Sequence, residues 1–138
     1  MRVTQNSKIL TDEAVLAMLT AAVAKARETG QPQCIVIVDA SGETLGELRM
    51  TGAKFLSRKS ARAKARTAAS TGAETVAIPD TVRLQIGQAT AGDMTALPGG
   101  LPIWIGGILL GGIGVGSGSG DQDIAVAQAA LTSIGATV

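Results

Sequence analysis

Four charged side chains in this sequence have the type and setting to do chemistry on a small organic anion. Lys64 stands among alanines, in Ala61-Arg62-Ala63-Lys64-Ala65. A buried lysine serves as a base or as a carboxylate partner. Arg49 precedes Met50, and its guanidinium fork can grip a carboxylate or phosphate at two points. Asp121 and Asp123 follow the run Gly116-Ser-Gly-Ser-Gly120, and carboxylates held in place move protons. The candidate catalytic groups are therefore Lys64, Asp121 and Asp123. The candidate ligand-binding residues are Arg49, Met50, Thr67, Pro98, Gly99, Gly100 and Trp104.

Each has a plainer alternative. Lys64 lies about 60° off the alanine stripe of its helix, at ~100° per residue, so it is either a snorkelling stem or a placed charge. Thr67, one turn on, would share its pocket. Arg49 could instead close a sheet-end ion pair with Asp39 or Glu47. Asp39 itself suits a turn. Asp121 and Asp123 could simply complement the dipole of the helix they open. The glycine run before them matches neither the dinucleotide nor the P-loop pattern.

Composition narrows the chemistry. The 138 residues include no histidine, no tyrosine and one each of cysteine, phenylalanine and tryptophan (Cys34, Phe55, Trp104). That excludes a histidine base, a Ser-His-Asp triad and the common zinc sites, so no metal site is assigned. A lone cysteine cannot form an internal disulfide. With a net charge of +1 and so few aromatics, neither nucleic acid nor membrane is an expected partner. The six basic residues from Lys54 to Arg66 include the ridge Arg58, Arg62, Arg66, which reads as an anion patch or, more simply, a solvated face. Met94 to Gly120 carries no charge, but its densest apolar part, Leu101–Val115, is about 15 residues long against the ~20 of a spanning helix. Its glycines also disfavour a helix. The first ten residues lack a signal-peptide run, and the expected compartment is the cytoplasm.

The elements that must position these groups are legible in part. Thr11 caps an amphipathic helix with the stripe Val15, Met18, Leu19, Ala22, Val23, Ala26, which Gly30 stops. Cys34–Val38 is a buried strand, Asp39–Gly42 a turn and Thr44–Met50 the returning strand. A helix from about Leu56 to Ser70 turns Ala61, Ala65 and Ala68 inward, with Arg62, Arg66 and Lys59 outward. Such small residues let it lie close to a sheet or a partner helix. Residues 73–97 give a weak helical pattern after Pro79 and otherwise an exposed connection. Leu97–Pro102 reads as a turn. Ile103–Ile105 and Ile108–Val115 form a hairpin about Gly106-Gly107. Gly116–Gly120 reads as a flexible loop. Asp121 opens a last helix with the stripe Ile124, Ala127, Leu131, Ile134. Tight hairpins imply an antiparallel sheet flanked by helices, within one domain spanning 1–138. Ten of the 18 glycines fall between Gly99 and Gly120. Their bare surface should receive another subunit's backbone or a flat ligand, with Trp104 and the Leu97–Gly100 turn as walls.

Several short runs, in this order, carry a resemblance. They are Val38-Asp-Ala-Ser-Gly42, Arg49-Met-Thr-Gly-Ala53, Ala63-Lys-Ala-Arg-Thr-Ala68, Leu97-Pro-Gly-Gly100, Pro102-Ile103, Gly112-Ile-Gly-Val115, Asp121-Gln-Asp123 and Val126-Ala127. From about residue 8 to 134 the chain resembles the GlcG/HbpS family of haem-degrading-like domains, which includes the C-terminal domain of PduO proteins. It departs at Thr51, where the family commonly has Asp, and at Asp121, where it often has Glu. The resemblance implies a profilin-like α/β (α+β) sandwich, assembly into homo-oligomers, and binding of haem, a tetrapyrrole or another small molecule. Axial haem ligands are commonly His, Cys, Met or Tyr, which leaves Met50, Met94, Cys34 or an oxygen donor here. Three functions follow as expectations. One is a small-ligand binder with haem or a tetrapyrrole as its ligand. Another is a cofactor-independent isomerase, lyase or hydratase for a small oxygenated acid or carbonyl compound. The third is an accessory subunit without chemistry.

Overall fold

The computed structural model describes residues 1–138. Helix α1 spans Asp12–Thr29; the Thr11 hydroxyl accepts the Ala14 N–H at its start, and Gly30, at φ 78°, ends it in the left-handed region. Strands β1 (Cys34–Asp39) and β2 (Thr44–Arg49) form the first hairpin. Its turn is held by Asp39, whose Oδ1 accepts the N–H groups of Ser41 and Glu43. Helix α2 covers Ser57–Thr71. Two short 3-10 turns (Thr75–Ala77, Asp80–Val82) lead to α3, Arg83–Ala89. Strands β3 (Gly100–Ile105) and β4 (Ile108–Gly116) form the second hairpin, and α4 runs from Gly120 to Ser133.

The four strands make one antiparallel sheet in the order β2-β1-β4-β3. Helices α1 and α4 pack on one face and α2 on the other, an α+β sandwich. Because side chains alternate along a strand, β1 serves both layers. Ile35 and Ile37 join the larger core with Met18, Ile113, Val115, Val126 and Leu131, while Cys34, Val36 and Val38 meet Ala53, Ala61, Ala65 and Ala69 under α2.

Strand β4 alternates differently: Ile113 and Val115 face α1 and α4, and Gly112 and Gly114 face α2. A Cβ on Gly114 would stand 1.8 Å from the Ala61 carbonyl oxygen, and one on Gly112 would stand 2.2 Å from that of Ala65. At Gly112 and Gly114 the bare surface is therefore filled by the backbone of this chain's own α2, in place of the subunit or flat ligand expected, while Gly106 and Gly107 meet nothing within 4 Å. The alanine stripe of α2 and the glycines of β4 are two halves of one close contact.

Three boundaries move. The run Leu97–Pro102 is not all turn, because β3 begins at Gly100. Pro102 is tolerated there because β3 is an edge strand, where a missing N–H costs no ladder bond. Gly116 and Gly120 belong to β4 and α4, so only residues 117–119 connect them. Ser119, rather than Asp121, caps α4, through a reciprocal box in which the Ser119 hydroxyl accepts the Gln122 N–H and the Gln122 side chain accepts the Ser119 N–H.

Candidate functional site

Lys64 and Asp123 are both buried, at 4% and 3% exposure, and they meet. The Lys64 ammonium donates to Asp123 Oδ2 at 3.1 Å and to the Val115 carbonyl at 2.7 Å. Asp123 Oδ1 accepts the Gly118 N–H at 3.0 Å. The lysine is thus wholly inward, further than its angle from the alanine stripe implied. The closeness of α2 to β4 draws the lysine stem inward. Burial pushes the Asp123 carboxyl above the usual carboxylate range. The Lys64 charge and hydrogen bond, the Gly118 N–H and the neighbouring Gln33 amide act in the opposite sense without overcoming it.

A cleft of about 310 Å³ opens onto the pair, lined also by Lys54, Ser57, Ser60, Pro98, Ser117 and Gly118. It lies where the starts of α2 and α4 converge with the end of β4. The first turn of α2 holds no acidic residue and no side-chain cap, so its dipole and Lys54 give that wall positive character. Gly99, at φ 114°, passes directly over the pair. A Cβ there would sit 2.6 Å from the Val115 carbonyl oxygen, 2.8 Å from the Asp123 Cβ and 3.3 Å from the Lys64 ammonium, so only glycine lets the backbone pack this closely against the pair. Gly100 is held by Thr75, whose hydroxyl accepts its N–H and donates to the Leu97 carbonyl at 2.6 Å.

Behind Asp123 lies Gln33, fully buried, its amide beside the Asp123 carboxylate but with no partner in well-formed hydrogen-bond geometry. A Cβ on Gly118 would stand 2.4 Å from its Nε2 and 2.9 Å from Asp123 Oδ1. A buried amide without a well-formed partner is costly, and this one borders the wall of the cleft.

Of the residues expected to act together, the structure joins Lys64, Asp123, Pro98, Gly99 and Gly100. It separates the rest. Asp121 is exposed and belongs to none of the chain's ion pairs. Thr67 is one turn from Lys64 but turned away. Its hydroxyl donates to the Ala63 carbonyl and accepts the Thr95 N–H, which fixes the 93–95 segment to α2. Trp104 stands at the far end of α2, its indole N–H donating to the Gly72 carbonyl. Arg49 and Met50 line a second cleft of about 490 Å³ with Val23, Arg27 and Pro32. The Arg49 guanidinium donates to the Ala53 carbonyl at 3.1 Å and bridges neither Asp39 nor Glu47, which pairs with Arg58. The Met50 sulfur accepts the Gln33 N–H at 3.4 Å. Arg66, expected outward, is half-buried and ties Gly42 to Asp93.

Sequence reasoning missed Gln33, Lys54, Ser57, Ser60, Ser117 and Gly118. A signal existed for two of them: Ser57, Ser60 and Lys64 recur at i, i+3, i+7 and so share one helix face.

No helix is long and apolar enough to cross a membrane. Comparison with known proteins agrees with the fold. The chain is 36% identical over 121 residues to the corrinoid adenosyltransferase PduO of Salmonella typhimurium. That match covers 83% of this chain, which spans only about a third of the relative's length, 35%. The crystal structure of a PduOC:heme complex superposes with a TM-score of 0.88 at 30% identity, covering 94% of this chain and 98% of the other. That of Klebsiella pneumoniae protein ORFY gives a TM-score of 0.93 at 28% identity, covering 100% and 99%. The family model for the haem-degrading protein HbpS-like group matches residues 10–132, nearly all of the sandwich just described, and the chain belongs to that HbpS-like family.

Proposed function

We propose that this chain is a small-molecule-binding member of its family whose ligand is a small oxygenated organic anion held over the Lys64–Asp123 pair. The observation that carries the reading is the pair itself, buried, reachable from one polar cleft, and backed by the buried amide of Gln33. Lys64 spends two of its three donors within the chain. The third, with the Lys54 ammonium and the Ser57 and Ser60 hydroxyls, suits a carboxylate or a carbonyl oxygen.

Haem, the ligand bound by PduOC, fits the donors of this chain poorly. There is no histidine or tyrosine. Cys34 and Met18 are fully buried in packed layers. Met50 lines the second cleft but already accepts an N–H, and Met94 lines a separate cleft beside Arg66 and Asp93. Self-association is part of the proposal. Phe55 and Leu56, 66% and 67% exposed, lie between the cleft residues Lys54 and Ser57, and a second copy over them would close the rim.

Titration calorimetry with a panel of short carboxylates and 2-oxo acids tests the reading, with hemin as the competing ligand. Binding of a panel member that Lys64→Met abolishes is the expected result. Stoichiometric hemin retained through gel filtration, with no heat from any acid, would overturn it.

A further inference from the structure

We infer that the Lys64–Asp123 pair is a proton relay that interconverts the keto and enol forms of a short 2-oxo acid. This rests on the binding reading above and adds a reaction to it. The relay needs an acid and a base facing the same substrate and able to exchange a proton afterwards. Lys64 from α2 and Asp123 from α4 border one cleft and share a 3.1 Å hydrogen bond. The Lys54 ammonium and the Ser57 and Ser60 hydroxyls line the same cleft, on the α2 side with Lys64, and are available to hold the substrate carboxylate. Gly99 packs its backbone against the pair outside the cleft lining, so the substrate reaches the pair from the cleft alone.

The step balances within the site. An Asp123 oxygen takes a proton from the carbon next to the carbonyl. The C–H electron pair becomes the C=C bond, and the carbonyl π pair moves to oxygen. That oxygen takes a proton from the Lys64 ammonium. The site then holds a neutral amine and a carboxylic acid. The proton returns from Asp123 to Lys64 across their hydrogen bond, and the original charges are restored. No oxidant, reductant or metal enters. The raised carboxyl of Asp123 supports the scheme, since a stronger base accepts a carbon-bound proton more readily. The pair explains why the two charges stay buried together: each would be a poor neighbour alone, and together they are a reversible donor and acceptor.

The test is proton-deuterium exchange at C3 of 2-oxobutyrate in D₂O, followed by NMR, with saturation-transfer contacts recorded on the same samples to report binding. The native chain should speed loss of the C3 proton signal by about 100-fold or more over buffer. Asp123→Asn should keep the binding contacts and lose the acceleration. Lys64→Arg keeps the charge but cannot release its proton, and should behave likewise. Binding without acceleration by the native chain overturns the relay and leaves the binding reading intact. Acceleration undiminished in folded Asp123→Asn also overturns it. Absence of any contact with 2-oxobutyrate or the other 2-oxo acids overturns the relay, and the binding reading falls with it where the short carboxylates also give no heat.

Discussion

Lys64 and Asp123, 59 positions apart in sequence, meet at 3.1 Å between two helices on opposite faces of the sheet. They join past the end of β4, where the sheet stops separating the layers. Their burial makes the two halves of the pair unequal. Because desolvation outweighs the lysine's attraction at Asp123, the folded chain tolerates a neutral group at that position better than an unpaired carboxylate. Lys64→Met should therefore cost about 3–5 kcal/mol, the usual loss on orphaning a buried charge. Asp123→Asn strands the Lys64 ammonium without its counter-charge, but an amide oxygen still accepts from it, so the cost should be somewhat smaller, about 2–3 kcal/mol. Urea unfolding of the two variants checks the order.

The same carboxyl sets a slope of stability with pH. Its folded pKa lies above the unfolded value of about 3.9. Between the two values the folded state holds a proton that the unfolded state has released, so stability falls as pH rises through that window. Lys64 on α2 is the charge in contact, Lys54 lines the same cleft, and β4 and residues 97–100 contribute none. The native chain should lose stability relative to Asp123→Asn as pH climbs from about 4 towards neutrality, measured as the difference in urea midpoints. A difference that grows in the native chain's favour would contradict the direction.

Sequence reading reached most of the fold because its signals are local: Thr11 and Gly30 bracket α1, the run Cys34–Val38 is β-branched, and Gly106-Gly107 closes a hairpin. The site was legible in pieces. Asp121 and Asp123 are about 200° apart on a helix, so only one can face inward, and nothing local says which. The choice is made by how α4 leaves Ser119 and packs through Val126 and Ala130. Gln33 carried no signal, since a single polar residue ahead of a strand is ordinary. Trp104 and Thr67 were grouped with Lys64 by proximity in sequence or by size, whereas the helix axis sends them elsewhere. The loop 73–97 stayed obscure because it is held by side-chain bonds, such as those of Thr67, Thr75 and Arg66, rather than by periodic burial.

Glycine substitutions separate packing from backbone freedom. Gly114→Ala would drive a methyl into the Ala61 carbonyl, and should cost about 3 kcal/mol or more, at or beyond the top of the overpacking range. Gly106→Ala meets nothing within 4 Å but keeps φ at 57°, so its cost should be only the left-handed penalty of about 1–2 kcal/mol. Thermal unfolding of both tests the contrast.

Cys34 gives an independent probe of the α2 layer. Its thiol is fully buried and donates to the Lys54 carbonyl. Burial pushes its pKa up, with Glu47 adding and Arg49 and Arg58 opposing. The native chain should leave an aromatic disulfide reagent unreacted at neutral pH and release one equivalent of thiolate dye on denaturation. Prompt labelling of the folded chain would mean that the layer opens readily.

That layer has a consequence for how the molecule comes apart. Beneath α2 the buried apolar cluster numbers 7 residues, three of them alanines of the helix itself, against 17 on the other face. Denaturant acts in proportion to the surface an opening uncovers. Lifting α2 from its glycine bed uncovers little, so its amides should exchange by an event almost indifferent to urea, while those of α1 and α4 wait for global unfolding. Lys64 rides on that segment. Its charge, the most deeply held cation in the chain, is the one that such an opening would bring to water.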